Sequence, residues 1–123
     1  MNDEHRTNLI TTLEGTATSI RRIEEQARQA LHGEGDETTY RELMREKAEV
    51  LQNLPLALAP ILDQLPSKLH DRVSDRVEQF AHSASMALNL NSVFFMYALL
   101  YPEDYREGDP NDLERFIQEL KRS

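Results

Sequence analysis

Two charged residues, Glu24 and Lys47, stand where the pattern of the sequence calls for apolar side chains. At 100° per residue, Glu24 falls on the apolar face of a helical segment that contains Leu13 and Leu31. Lys47 falls at the centre of the apolar face of the following segment. If a short joint folds the two segments into an antiparallel hairpin, these side chains come within about one helical turn of each other. We therefore expect Glu24 and Lys47 to pair.

A carboxylate and a lysine in an apolar seam have two interpretations. They can form a polar, partly buried pocket that binds a ligand, or in which a lysine with a shifted pKa transfers a proton. Tyr40 and Tyr97 are further candidates for the lining of this pocket. They can instead form an ion pair at the edge of the seam that fixes which helix faces meet. The second interpretation is the one that the sequence favours.

The remaining polar groups do not have the spacing of a metal or catalytic site. The four histidines form neither HExxH nor the paired ExxH units of a di-iron bundle. Glu78 and His82 are four residues apart, but they fall opposite the apolar face of their helix and predict a solvated charged face. Residues 103–114 match a calcium loop only at Gly108 and Glu114, and helix stop and cap signals explain both. We predict no metal, no cofactor and no catalytic residue.

The run from Val93 to Tyr101 is apolar or aromatic at all nine positions. A helix that is apolar on every side must be central in a bundle or covered by another surface. Two coverings stay open: the proline-containing segment together with the last helix, or a second copy of the chain. The second covering predicts a homodimer. Its candidate interface residues are Phe94, Phe95, Tyr97, Tyr101 and Tyr105.

The sequence predicts that the segments carrying these candidate residues are helices. Four glycines and five prolines fall mostly between amphipathic segments, and no alternating strand pattern occurs. The glycines within 32–36 end a first helix of about 25 residues, and Asp36 and Thr38 are candidate N-caps of a second. A third helix begins near Ser67, and Asn91 or Ser92 can cap the apolar run.

A final helix follows Gly108. Asp109, Pro110 and Asp112 are expected at its N-cap, N1 and N3 positions. The sequence therefore predicts one all-α domain over residues 1–123, an antiparallel bundle of four main helices with a short Pro-kinked helical segment near 55–65.

Composition excludes several classes of function. The net charge is −8 and no segment is basic, which disfavours nucleic acids and anionic membrane surfaces as partners. The uncharged stretch 83–102 carries serines and asparagines in its first half, so we interpret it as a core segment rather than a membrane span. The chain has no cysteine and no secretory signal, which favours the cytoplasm.

These observations predict a small cytoplasmic helical-bundle protein that acts through protein–protein association, as an adaptor, a chaperone-like protein or a regulatory subunit. Its expected partner is another protein or itself as a homodimer. The alternative is a small-ligand-binding protein or an enzyme with a polar pocket among its helices, assisted by a divalent metal. An enclosed cavity lined by Glu24 and Lys47 would favour the alternative, and a tightly filled core would favour association.

Overall fold

The computed structural model describes residues 3–122 as a set of helices connected by short joints. In chain order these are α1 (Asp3–Arg28), which continues into one π-helical turn (Gln29–Gly33), α2 (Glu37–Gln52), α3 (Leu54–Leu62), α4 (Ser67–Asn89), α5 (Val93–Ala98) and α6 (Asp112–Arg122). No strand occurs among the residues described. The predicted all-α bundle of four main helices, here α1, α2, α4 and α6, is confirmed.

The core is a single cluster to which the main helices contribute their apolar faces. Helix α1 packs against α2 and α6, while α2 also packs against α4 and α5. The face predicted for α1 is the buried one, since Leu9, Leu13 and Ile20 have no exposed surface. Helix α4 contributes Val73 and Val77 in the same way. Amphipathic periodicity thus selects the faces that meet.

The proline-rich stretch forms α3, a nine-residue helix that packs against α4 and α1. Pro55 lies in its first turn, where the missing N–H costs no helical hydrogen bond. Pro60 lies inside the helix, which ends two residues later. Leu58 and Leu62 are buried in the core, whereas Leu56 is 78% exposed.

The joint between α1 and α2 depends on one glycine and one aspartate. Gly35 has a φ of 65°, in the left-handed region, and lets the chain reverse after the π-helical turn. Asp36 is the N-cap of α2, because its Oδ1 accepts a hydrogen bond of 3.0 Å from the backbone N–H of Thr39. This joint brings the ends of α1 and α2 together as an antiparallel pair.

The start of α6 differs from the prediction, since its N-cap is Asn111 and not Asp109. The side chain of Asn111 accepts from the N–H of Glu114 at 2.9 Å, and Glu114 accepts from the N–H of Asn111 at 2.8 Å. This is a capping box, which only a residue three positions before the glutamate can complete. The Asp109 carboxylate instead accepts from the N–H of Arg106, within the preceding loop.

We expect Gly35→Ala to destabilise the protein by about 1 kcal/mol, because a side chain is strained at a φ of 65°. Gly33→Ala is the matched control. Gly33 lies two residues earlier, outside the left-handed region, and an added methyl group there meets no atom within 4 Å. Urea denaturation of both variants measures the difference. Equal stability of the two variants would contradict this account of the joint.

Candidate functional site

Glu24 and Lys47 pair between α1 and α2, with 2.9 Å between Glu24 Oε2 and Lys47 Nζ. Lys47 has no exposed surface. Its ammonium also donates to the backbone carbonyl of Tyr97 at 2.8 Å and lies 4.8 Å from the ring centre of Tyr101. A carboxylate, a carbonyl and an aromatic face thus replace the water that the ammonium loses on burial.

Burial is the dominant influence on the protonation of Lys47 and lowers its pKa. The carboxylate of Glu24 opposes this shift, and the guanidinium of Arg21 adds to it. The 2.9 Å between the ammonium and Glu24 Oε2 is a charge-assisted contact, and both side chains are largely withdrawn from solvent, with 0% and 16% exposed. The pair therefore depends on charge attraction in a desolvated setting.

Tyr101 holds the other oxygen of the same carboxylate. Its hydroxyl donates to Glu24 Oε1 at 2.6 Å and accepts from Arg21 Nη1 at 3.2 Å. Burial raises the pKa of Tyr101, and the neighbouring Glu24 raises it further. The hydroxyl therefore stays protonated at neutral pH and acts as a fixed donor to Glu24.

Arg21 joins α1 to the start of α6, a role that sequence reasoning missed. Its Nε and Nη2 atoms bind the two carboxylate oxygens of Glu114 at 2.9 and 2.7 Å. Nη2 also donates to the carbonyl of Asp109 at 3.2 Å and lies 3.4 Å from the hydroxyl of Tyr105. The contact to Glu114 raises the pKa of Arg21 and lowers the pKa of Glu114. Two sequence signals were available: Arg21 is three residues before Glu24, and Glu114 is three residues after Asn111.

Above this network lies a cleft of about 670 Å³ that is open to solvent. It contains Glu24, Tyr40 and Tyr97 of the predicted pocket, but not Lys47, which lies behind the lining. The residues that line it are Arg21, Glu24, Glu25, Arg28, Leu31, His32, Tyr40, Met44, Tyr97, Tyr101, Tyr105 and Glu107. The site is therefore an open cleft over a filled core, rather than an enclosed cavity lined by both charges.

The predicted interface residues divide into two groups. Phe94, Phe95 and Tyr97 on α5 are 71%, 48% and 55% exposed. Tyr101 and Tyr105 are partly buried and their hydroxyls are engaged by the network below the cleft. The second group thus serves the interior of the domain.

The apolar run divides into an exposed and a buried part, since Phe94, Phe95 and Tyr97 are exposed, whereas Leu99 and Leu100 are buried and the carbonyl of Leu100 accepts from the N–H of Asp112 at the start of α6. Among the helices of residues 3–122, α5 (Val93–Ala98) packs against α2 and α4 and not against α3 or α6. It is also not a central helix, because it ends after six residues at Ala98 and Leu100 follows with a φ of 75°. So short a helix buries Met96 fully and Val93 in part, and it leaves Phe94, Phe95 and Tyr97 exposed.

We call Met86, Leu90, Phe94 and Phe95 the aromatic patch. Met86, Leu90 and Phe95 line a shallow groove of about 410 Å³ between α4 and α5. The ring of Phe94 lies 5.6 Å from that of Phe95, which makes the patch continuous. Each of the four side chains is about half exposed or more.

Within 3–122 there is no group of three or more His, Asp or Glu side chains that could hold a metal ion. None of the helices in the same range is long and apolar enough to cross a membrane. No protein-family model matches the chain, and neither a curated protein nor a solved structure is significantly similar to it.

Removing the charge of Glu24 and removing that of Lys47 should lower the free energy of unfolding by different amounts. Glu24→Gln leaves the ammonium of Lys47 fully buried without its counter-charge, which we expect to cost about 3 to 5 kcal/mol. Lys47→Met leaves Glu24 beside the Tyr101 hydroxyl and the open cleft, and should cost only about 1 to 2 kcal/mol. The double variant should resemble Lys47→Met. Urea denaturation measures this cycle, and additive effects of the two substitutions would contradict a direct pair.

The lowered pKa of Lys47 also predicts how stability depends on pH. Where the folded protein has lost this proton and the unfolded chain still holds it, the unfolded state binds more protons, so stability rises with pH. We therefore expect the free energy of unfolding of the wild type, minus that of Lys47→Met, to increase as pH approaches about 10.4, the ordinary lysine value. The tyrosines ionise in the same pH range, but they are present in both proteins, so their contribution largely cancels in this difference. A difference that stays constant up to that pH would show that the folded-state pKa is not lowered.

Proposed function

We propose that this protein acts through protein–protein association at the aromatic patch, as an adaptor, a chaperone-like protein or a regulatory subunit, and that its first partner is a second copy of itself. The observation that carries this proposal is the exposure of Phe94, at 71%, beside Leu90, at 61%. The absence of cysteine supports a cytoplasmic location for this role.

The energetics of the patch support this proposal. Large aromatic side chains lose most of their hydrophobic stabilisation when they stay in water, at roughly 25 cal/mol for each Å² left exposed. Contiguous exposed apolar patches are typical of interaction surfaces. Aromatic residues and methionine are also the types enriched at the centres of interfaces. Burial of the patch against a partner would recover the stabilisation that the isolated domain does not obtain.

The distribution of charge favours a second copy as the partner. The chain carries a net charge of −8, so most pairs of surfaces from two copies repel each other. The segment 67–102, which contains the patch, has three acidic residues and three Lys or Arg residues and is therefore neutral. From 81 to 102 it contains no Asp, Glu, Lys or Arg. A twofold contact at this face brings together the surfaces that repel least.

We expect the wild type to be a dimer by size-exclusion chromatography with light scattering. Phe94→Glu should weaken it by at least about 2 kcal/mol, or roughly thirtyfold in the dissociation constant, because it puts a charge at the centre of the contact. Leu56→Glu is the matched control, since Leu56 is 78% exposed on α3 and lies outside the patch. A wild type that stays monomeric at high concentration, or equal weakening by the two variants, would contradict the homodimer.

A second candidate function is the binding of a small ligand in the cleft. Its volume of about 670 Å³ is within the usual range of ligand sites. Glu24, Tyr40 and Tyr97 present one carboxylate and two hydroxyl groups in the same lining. Lys47 would then act from behind the lining by fixing the position of Glu24.

A further inference from the structure

All four tyrosines of the chain line the same cleft, although they come from α2, α5 and the loop before α6. The chain has no tryptophan, so the cleft also contains its only amphipathic aromatic side chains. The face of an aromatic ring carries partial negative charge and attracts ammonium and guanidinium groups, especially where water is excluded. Tertiary structure has thus concentrated in one place the side chains best suited to hold an organic cation.

The protein already uses this interaction on one wall of the cleft. The ammonium of Lys47 lies 4.8 Å from the ring centre of Tyr101, and the guanidinium carbon of Arg21 lies 5.9 Å from it. Tyr105 packs against Tyr101 edge to face, with 4.6 Å between ring centres. The ring of Tyr101 is therefore occupied by groups of the chain itself.

The ring of Tyr40 has no cation of residues 3–122 against it, whereas the ammonium of Lys47 lies 5.9 Å from the ring centre of Tyr97, so Tyr97 offers a ligand only its other face. Tyr97 is 55% exposed, and Tyr40 is partly buried in the same lining. Within residues 3–122, neither hydroxyl makes a hydrogen bond. Neither hydroxyl is a buried polar atom without a partner, so both are reached by solvent and are available to a ligand that enters the cleft.

The charges around the cleft favour a cation over an anion. The lining contributes three carboxylates, of Glu24, Glu25 and Glu107, and two guanidinium groups, of Arg21 and Arg28. Behind the lining, the ammonium of Lys47 binds Glu24 and the carboxylate of Glu114 binds Arg21. Four carboxylates against three cations leave a local charge of −1 with His32 neutral. The net charge of the whole chain, −8, has the same sign and also attracts a cation.

We infer that this cleft binds a small organic ammonium ion with an apolar body, held between the rings of Tyr97 and Tyr40. The ammonium end lies against the aromatic faces, as in the aromatic cages that recognise methylated ammonium groups. Leu31 and Met44 contribute apolar lining for the rest of the ligand. The two free hydroxyls are available for a polar group on its body. The inference rests on the second candidate function, of which it names the ligand class; the site is separate from the aromatic patch and does not depend on dimer formation.

Three probes of nearly equal shape test the charge preference: choline, its neutral isostere 3,3-dimethylbutan-1-ol, and the anion 3,3-dimethylbutanoate. Each titration is followed by the NMR signals of the aromatic rings. Because every tyrosine lines the cleft, a shift of the tyrosine signals locates the bound probe there. We expect choline to bind with a dissociation constant on the order of 1 mM and to shift the Tyr97 and Tyr40 signals. The neutral alcohol should bind roughly tenfold more weakly, and the anion more weakly still.

Variants separate the aromatic site from general binding to the surface. Tyr97→Leu should weaken choline binding roughly tenfold, whereas Tyr97→Phe, which keeps the ring, should retain most of it. Phe94→Leu is the matched control, an exposed aromatic residue on the same helix that lies outside the cleft. It should leave choline binding unchanged. Circular dichroism of each variant checks that the fold is intact.

Three results would overturn the inference. One is the absence of any tyrosine shift with choline up to about 50 mM, which is far above the expected dissociation constant. Another is equal or tighter binding of the neutral or anionic probe. The third is an equal loss of choline binding in Tyr97→Leu and Phe94→Leu. None of these results bears on the homodimer, which is measured by light scattering in the absence of probes.

Discussion

The burial of one ammonium group, that of Lys47, sets the arrangement around it. A charge without exposed surface in a helical seam is tolerated only if several elements each supply a partner. Here α1 supplies the carboxylate of Glu24, α5 supplies the carbonyl of Tyr97, and the loop after α5 supplies the ring of Tyr101. Any shift of one element relative to α2 would leave the charge uncompensated. The ion pair thus specifies how four parts of the chain meet, whatever its net contribution to stability.

A second charged group, Arg21, extends the same arrangement to the start of α6. Its bidentate contact with Glu114 uses the carboxylate that also completes the capping box of that helix. Glu114 therefore serves both the local end of α6 and its attachment to α1. Because Tyr101 bonds to Glu24 and to Arg21, the two ion pairs belong to one hydrogen-bonded network. This network lies beneath the cleft and holds the side chains of Tyr101 and Tyr105 in place.

The two surfaces proposed to act on other molecules meet at α5. One side of this short helix presents Phe94 and Phe95 to solvent, and Tyr97 contributes to the cleft. The helix is anchored in two ways, by burial of Met96 and by the bond from Lys47 to the carbonyl of Tyr97. A six-residue helix has little stability of its own, so these anchors are what make either surface defined enough to bind.

Much of the fold could be predicted because it depends on local rules. The apolar period of α1 identified Leu13 as core, and Asp36 was recognised as a cap from its place after Gly35. The N-cap of α6 was assigned wrongly to Asp109 because Pro110 suggested the first helical position. The reciprocal bonds of Asn111 and Glu114 decide that boundary two residues later. Competing cap signals within a few residues are resolved only by which pair closes in three dimensions.

For the site, sequence alone determined which residues were out of place. Glu24 and Lys47 interrupted two apolar faces, and the short joint set the register that brought them together. Only the tertiary structure decided that Lys47 lies behind the cleft instead of in it, and that Arg21 joins the network. It also decided that Tyr40 of α2 lines the same surface as Tyr97, Tyr101 and Tyr105. The physical reason is that helical periodicity fixes the face on which a side chain lies, whereas burial and contacts depend on how helices cross and on where a short helix such as α5 ends.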